Sequence, residues 1–237
     1  MIARRFYLDQ ALKVDQDFVL PASAAHHVLR VLRMGAGEKI TLFNGDGFEY
    51  EGIILKAHRA EATVLIESKN DVTRESKLIS SLGLGILKRK AMESALIRAT
   101  ELGVTEITPI KTSRSNIIRT RENHWQEVVQ SSCEQCGRNK LPKLQQMTTL
   151  QEWLASAKTP MKLVAHPGSK GRLKDFSPKP AGVSILVGPE GGLESHEVEL
   201  ALRAGFMSIN LGRRVLRAET VPAALISIIQ FYWGDMS

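Results

Sequence analysis

Two short glycine-bearing segments near the end of the 237-residue chain restrict its fold more than anything else in it. The first is Leu186-Val187-Gly188-Pro189-Glu190-Gly191-Gly192. Ser184 to Val187 is apolar, with β-branched Ile185 and Val187, and reads as a buried strand. Gly188 ends it, and Pro189 cannot donate to a ladder. Gly191-Gly192 admits backbone angles closed to other residues and lets a ligand come close. Ser195 is placed to cap a helix running to about Ala204, with Gly205 as its stop. The second segment is Asn210-Leu211-Gly212-Arg213-Arg214-Val215-Leu216-Arg217-Ala218-Glu219-Thr220. It follows a strand over Met207 to Leu211 that Gly212 breaks, and an apolar helix starts near Glu219-Thr220 with Pro222 in its first turn. One helix and one strand separate the two segments, so both turns sit at strand ends, expected as neighbours in one sheet.

A glycine turn before a helix suggests phosphate binding. Here Glu190, Glu194 and Glu197 crowd the place a phosphate would take, and no Lys-Ser/Thr follows as a P-loop requires. Carboxylates suit a neutral or cationic ligand better. A tight turn that holds no ligand is the alternative.

Taken together, the two segments resemble the signature of the SPOUT methyltransferases and, among these, the bacterial RsmE family, which methylates N3 of a uridine in 16S ribosomal RNA. The resemblance extends over nearly the whole chain. It implies an α/β architecture, a SPOUT-type knotted parallel-sheet domain over residues 71–237, preceded by a small PUA-like β-barrel over residues 1–70 that binds RNA. S-adenosyl-L-methionine would sit in the loops of a deep trefoil knot. The knot rests on the resemblance alone, since general rules of chain threading count against one. The implied partners are 16S rRNA or the small ribosomal subunit and a second copy of the chain, in the cytoplasm, with no metal.

Charge agrees with a polyanionic partner. The net charge is +7. Residues 1–70 hold nine basic and nine acidic side chains, whereas residues 85–145 hold eleven and six, and residues 158–180 six and one. The surplus therefore lies mid-chain. No apolar run approaches the roughly 20 residues that span a bilayer, and Met1 to Phe6 is not followed by an apolar signal region. Both absences fit the cytoplasm.

The first 70 residues read as all β, with strands over Lys39 to Phe43, Phe48 to Leu55 and Glu61 to Glu67 and a hairpin turn in Asn44-Gly45-Asp46-Gly47. One helix is expected over Ala22 to Leu32, with Ser23 as a possible cap. The segment His26 to Arg33 matches an RsmE pattern. Arg30 and Arg33, three apart, can share a helix face towards phosphates, or be solvated surface charges. After a polar link, strands over Lys77 to Leu84, Glu106 to Ile110 and Lys162 to His166 alternate with helices over Lys88 to Leu102 and Glu122 to Gln135, which argues for a parallel sheet. Lys88-Arg89-Lys90, at a helix start where positive charge is unfavourable, is either a phosphate contact, the favoured reading, or a solvated helix start. Arg114 lies in a polar loop after a strand end, where open α/β sheets bind ligands, and is a candidate for RNA contact or substrate positioning. Cys133 and Cys136 have no second pair to complete a zinc site and are expected to be inert thiols.

The resemblance also implies site roles. Arg138 and Asn139, in Glu134-Gln135-Cys136-Gly137-Arg138-Asn139, match a family segment and would face RNA. His166-Pro167-Gly168 would be a third turn of the cofactor pocket, working through its backbone. Backbone groups of Leu186, Gly188, Pro189, Leu211, Gly212 and Leu216 would hold the cofactor. Arg217 would stabilise the uridine anion, and Glu219 would accept a proton or form a structural ion pair. Two other readings stay open: another SPOUT enzyme, such as a ribose 2′-O methyltransferase, or a non-catalytic RNA-binding protein of ribosome assembly.

Overall fold

The computed structural model describes residues 4–58, 61–115, 122–171 and 179–236. They gather into two compact units: residues 1–75 with 130–141, and residues 76–129 with 142–237.

The first unit is built on a five-stranded sheet. Its strands are β1 (Arg5–Tyr7), β2 (Asp17–Val19), β3 (Lys39–Phe43), β4 (Glu49–His58) and β5 (Glu61–Asn70), in the order β1-β3-β4-β5-β2. The β1–β3 pair is parallel and the other pairs are antiparallel. Period-two burial along β3 to β5 sends Ile40, Leu42, Ile54, Val64 and Ile66 into one core with Phe6, Leu8, Ala25 and Val28. Beside this sheet, helix α1 (Ala22–His26) runs into a π-helical turn, His27–Val31, and stops there. Its N-cap is Pro21 rather than Ser23. The chain leaves through Arg33, whose φ of 54° is left-handed, and the Met34 N–H closes on the Val28 carbonyl. Arg33 therefore lies past the helix end, and the shared face expected for Arg30 and Arg33 does not form.

Residues 130–141 complete this unit with charge. Glu49 is buried and accepts from both Arg5 and Arg74. Glu134 accepts the Tyr7 N–H at 3.0 Å, and Asn139 accepts from Arg5 at 2.8 Å while donating to the Val72 carbonyl at 2.6 Å. Charges taken out of water need such partners.

The second unit is a three-layer α/β arrangement on an all-parallel sheet. Its elements are β6 (Ile79–Gly85), α2 (Arg89–Glu101), β7 (Glu106–Lys111), α3 (Glu122–Cys136, whose residues from 130 on belong to the first unit), β8 (Lys143–Leu144), β9 (Thr148–Thr149), α4 (Leu150–Ser156), β10 (Met161–Ala165), β11 (Gly182–Val187), α5 (Ser195–Arg203), β12 (Met207–Ile209) and α6 (Thr220–Trp233). The order is β12-β10-β11-β6-β7-β8, with β9 also on β7. Every residue of β11 is buried, as suits a strand covered on both faces. Val183, Ile185 and Val187 enter one core with Leu96, Trp125, Ile226 and Trp233, and Leu186 enters the other with Trp153, Val198 and Phe206. Gly83 in β6 leaves room for the Trp153 ring, since an added Cβ there would come within 2.6 Å of it. Helix α4 follows β9 directly. It is fixed by a reciprocal capping box between Thr149 and Glu152.

Candidate functional site

The strand order places the glycine turns. β11 and β12 are not neighbours, as the spacing suggested; β10 lies between them, paired in parallel to both. The carboxyl ends of three adjacent strands therefore open at one edge: Ile209 leads to Asn210, Ala165 to His166, and Val187 to Gly188. His166 is anchored there by its N–H, which donates to the Ile209 carbonyl at 3.0 Å. The following loop returns alongside β12, with the Asn210 N–H on the Gly171 carbonyl at 3.0 Å, an approach only glycine allows because a Cβ on Gly171 would strike the Ser208 carbonyl.

A cleft opens between the ends of β10 and β12. Its lining brings together His166, Leu211 and Leu216, with Asn210, Arg214 and Val221. Leu186, Gly188, Pro189 and Gly212 are not in that lining. Leu186 is fully buried with its side chain in the core, so it can offer a ligand only backbone. Gly188 and Gly212 differ in what their lack of a side chain does. A Cβ on Gly188 would lie 2.9 Å from Leu193, so glycine there permits the turn to close. Gly212 has a φ of 102° with open space around it, so it permits a backbone angle and leaves an accessible edge. A larger residue at Gly212 would therefore meet backbone strain rather than a neighbouring atom.

The carboxylates expected to favour a cationic ligand instead bind the chain. Glu190 accepts the Lys88 N–H at 2.8 Å, so the start of α2 is held by the glycine turn. Lys88 is thus tied through its backbone while its neighbour Arg89 pairs with Glu93 at 3.0 Å. Glu197, 3 % exposed, accepts from the Ser113 N–H at 2.8 Å and the Glu194 N–H at 2.9 Å. Glu194, not Ser195, is the N-cap of α5. Arg114 lies across the same turn: it donates to the Gly191 carbonyl at 2.6 Å and sits 3.6 Å from Glu194.

Arg213, Arg214 and Arg217 are exposed between β12 and α6. The Arg217 carbonyl accepts the Thr220 N–H at 2.9 Å, which fixes the residue at the mouth of α6. Glu219 is the half-buried N-cap of that helix. Among the described residues neither side chain makes an ion pair. In the first unit Arg30 and Arg33 are exposed. Arg138 and Asn139 are 4 % and 1 % exposed, and Arg138 is bonded to Glu75 at 2.6 Å. Their expected RNA-facing placement is corrected, because both are enclosed by their partners. Burial pushes the Cys133 thiol up to about 12, in keeping with an inert sulfur. Among the described residues no group of His, Cys, Asp or Glu could hold a metal, and no helix is long and apolar enough to cross a membrane.

With this geometry the comparisons with known proteins agree. A family model for an RNA methyltransferase domain matches residues 74–230, and one for an RNA methyltransferase PUA domain matches residues 20–67. Ribosomal RNA small subunit methyltransferase E of Buchnera aphidicola is 31% identical over 98% of both chains.

This chain belongs to the RsmE family.

Solved structures extend the likeness to three dimensions. Ribosomal RNA small subunit methyltransferase E from Neisseria gonorrhoeae, bound to S-adenosyl methionine, is 36% identical with a TM-score of 0.93, covering 98% of this chain and 99% of that one. A methyltransferase from Legionella pneumophila in complex with bound SAM is also 36% identical, with a TM-score of 0.95 and 98% of each chain covered. The α/β parallel-sheet domain and the smaller β-rich PUA domain before it are thus those of the family.

Proposed function

We propose that this RsmE-family chain uses S-adenosyl-L-methionine to methylate N3 of a uridine in 16S ribosomal RNA. The observation that carries the reading is the trio of adjacent strand ends at His166, Gly188 and Asn210, in a chain that follows a cofactor-bound relative over almost its full length. The residues fit such a cofactor. Leu211 and Leu216 line the cleft, Leu186, Gly188 and Pro189 lie at the end of β11 beside β10 and would offer backbone, and the open side of Gly212 admits a close approach. The trefoil-knotted threading belongs to this reading.

The sulfonium supplies an electrophilic methyl group, so the protein's work is mainly to hold the nucleophile in line with it. N3 of uridine must lose a proton, and the charge spreads to the ring oxygens. Arg217, exposed at the mouth of α6, stabilises that anion. Glu219, beside it, accepts the proton or fixes the helix start. The PUA unit contacts the RNA backbone, with Arg30 and Arg33 as exposed cations. Ile228, Phe231, Tyr232 and Met236 are exposed on and just after α6, an apolar surface suited to a second copy of the chain. The cytoplasm is the compartment where ribosomal RNA is met.

Transfer of tritium from labelled cofactor into small-subunit RNA, followed by nucleoside analysis, tests this. Label in 3-methyluridine is expected. Label in a ribose-methylated nucleoside would assign another SPOUT chemistry, and no label despite RNA binding would leave only an assembly protein.

A further inference from the structure

The turn Gly188–Gly192 is tied to the loops after β6 and β7, the next two strands on one side of β11, through side chains that never reach the cleft. At the loop after β6, Glu190 accepts from Lys88, and a Cβ on Gly85 would lie 2.7 Å from the Pro189 nitrogen, so the end of β6 presses directly on the turn. At the loop after β7, Glu197 bridges Ser113 to Glu194, 84 residues separating Glu197 from Ser113. The stem of Arg114 lies on Gly191, where a Cβ would come within 3.1 Å of it, and its guanidinium binds the Gly191 carbonyl.

The arrangement around Glu197 is demanding. Both carboxylate oxygens accept from backbone N–H groups, one from each loop, and the group is almost wholly buried. Buried acceptors bonded in this way fix geometry strongly, because a lost bond leaves a desolvated N–H without a partner. Arg114 adds a charge-assisted bond to the same turn. Together they make the loop after β7 and the loop after β11 one body.

We propose that Glu197, assisted by Arg114, is a positioning residue for the methyl donor. It acts through the Gly188–Gly192 turn, which it holds in the conformation that receives the cofactor, so that binding need not order the turn. This rests on the reading that the turn borders the cofactor.

The test is isothermal titration of the full chain with S-adenosyl-L-methionine, well below the melting midpoint, paired with thermal melting of the ligand-free protein. Glu197→Gln keeps size but points an amide NH2 at a backbone N–H. We expect its affinity to fall about tenfold, with kcat at saturating cofactor and RNA close to that of the unchanged chain. Arg114→Leu keeps the stem over Gly191 and removes the charged bond; being a surface change, it folds, and its affinity falls severalfold. A lowered melting midpoint with affinity within twofold in both variants would make the pair a fold brace only and overturn the proposal. If the unchanged chain itself took up no cofactor, the functional reading would fall together with the proposal. Binding by the unchanged chain, with both variants unaffected, would sink the positioning role alone.

Discussion

Arg138 donates to Glu75 at 2.6 Å across 63 residues of chain, with its side chain 5 % exposed. This pair joins residues 130–141 to the first unit, beside the Glu49 carboxylate shared by Arg5 and Arg74 and the Asn139 amide bonded to Arg5 and Val72. The segment that resembles a family signature is thus explained by interior chemistry. Arg138→Ala would leave the half-buried Glu75 carboxylate without its cation, at a cost of about 1–3 kcal/mol. Chemical denaturation should show that loss, with cofactor affinity unchanged. A variant of full stability that no longer binds RNA would restore a surface role to Arg138.

Gly212 separates a backbone requirement from a steric one. Its φ of 102° strains any other residue, while the space beside it is open. Gly212→Ala should destabilise the turn by about 1–3 kcal/mol through strain, and Gly212→Val should abolish cofactor binding by displacing the turn while RNA binding persists. Titration of each variant with cofactor and, separately, with small-subunit RNA checks this. Unchanged cofactor affinity in Gly212→Val would remove the second turn from the site.

The apolar surface of α6 has a consequence in solution. Phe231 is 57 % exposed and Tyr232 50 %. If a second copy covers them, Phe231→Glu with Tyr232→Glu should convert a dimer to a monomer in sedimentation equilibrium, with the helix content retained. A monomeric parent chain would exclude this surface as a dimer interface.

Much of the second unit was legible because a parallel sheet writes itself in apolar runs punctuated by glycine. The strand at Gly182–Val187 and the helix at Arg89–Glu101 lie close to where periodicity puts them. The insertion of β10 between β11 and β12 was not legible, since strand order is decided by contacts between segments far apart in sequence. Nor was the role of Glu190, Glu194 and Glu197. Their partners, Lys88, Ser113 and Arg114, lie far back in the chain, 102 residues from Glu190 in the case of Lys88 and 84 from Glu197 in the case of Ser113, and no local pattern joins them. The helix expected over Ala22 to Leu32 runs to Val31, but its second half is a π-helical turn, which no local pattern announced, and the chain leaves through Arg33. Arg138 and Asn139 look like surface residues by type; only their partners Glu75, Arg5 and Val72, far back in the chain, reveal otherwise.

The most direct test is to map methylated nucleosides in 16S ribosomal RNA from cells lacking this protein, with and without the gene restored, and with Arg217→Ala restored in its place. The account predicts that one 3-methyluridine disappears, returns with the unchanged chain, and stays largely absent with Arg217→Ala. A 16S RNA whose 3-methyluridine is the same in the presence and absence of the protein would contradict it.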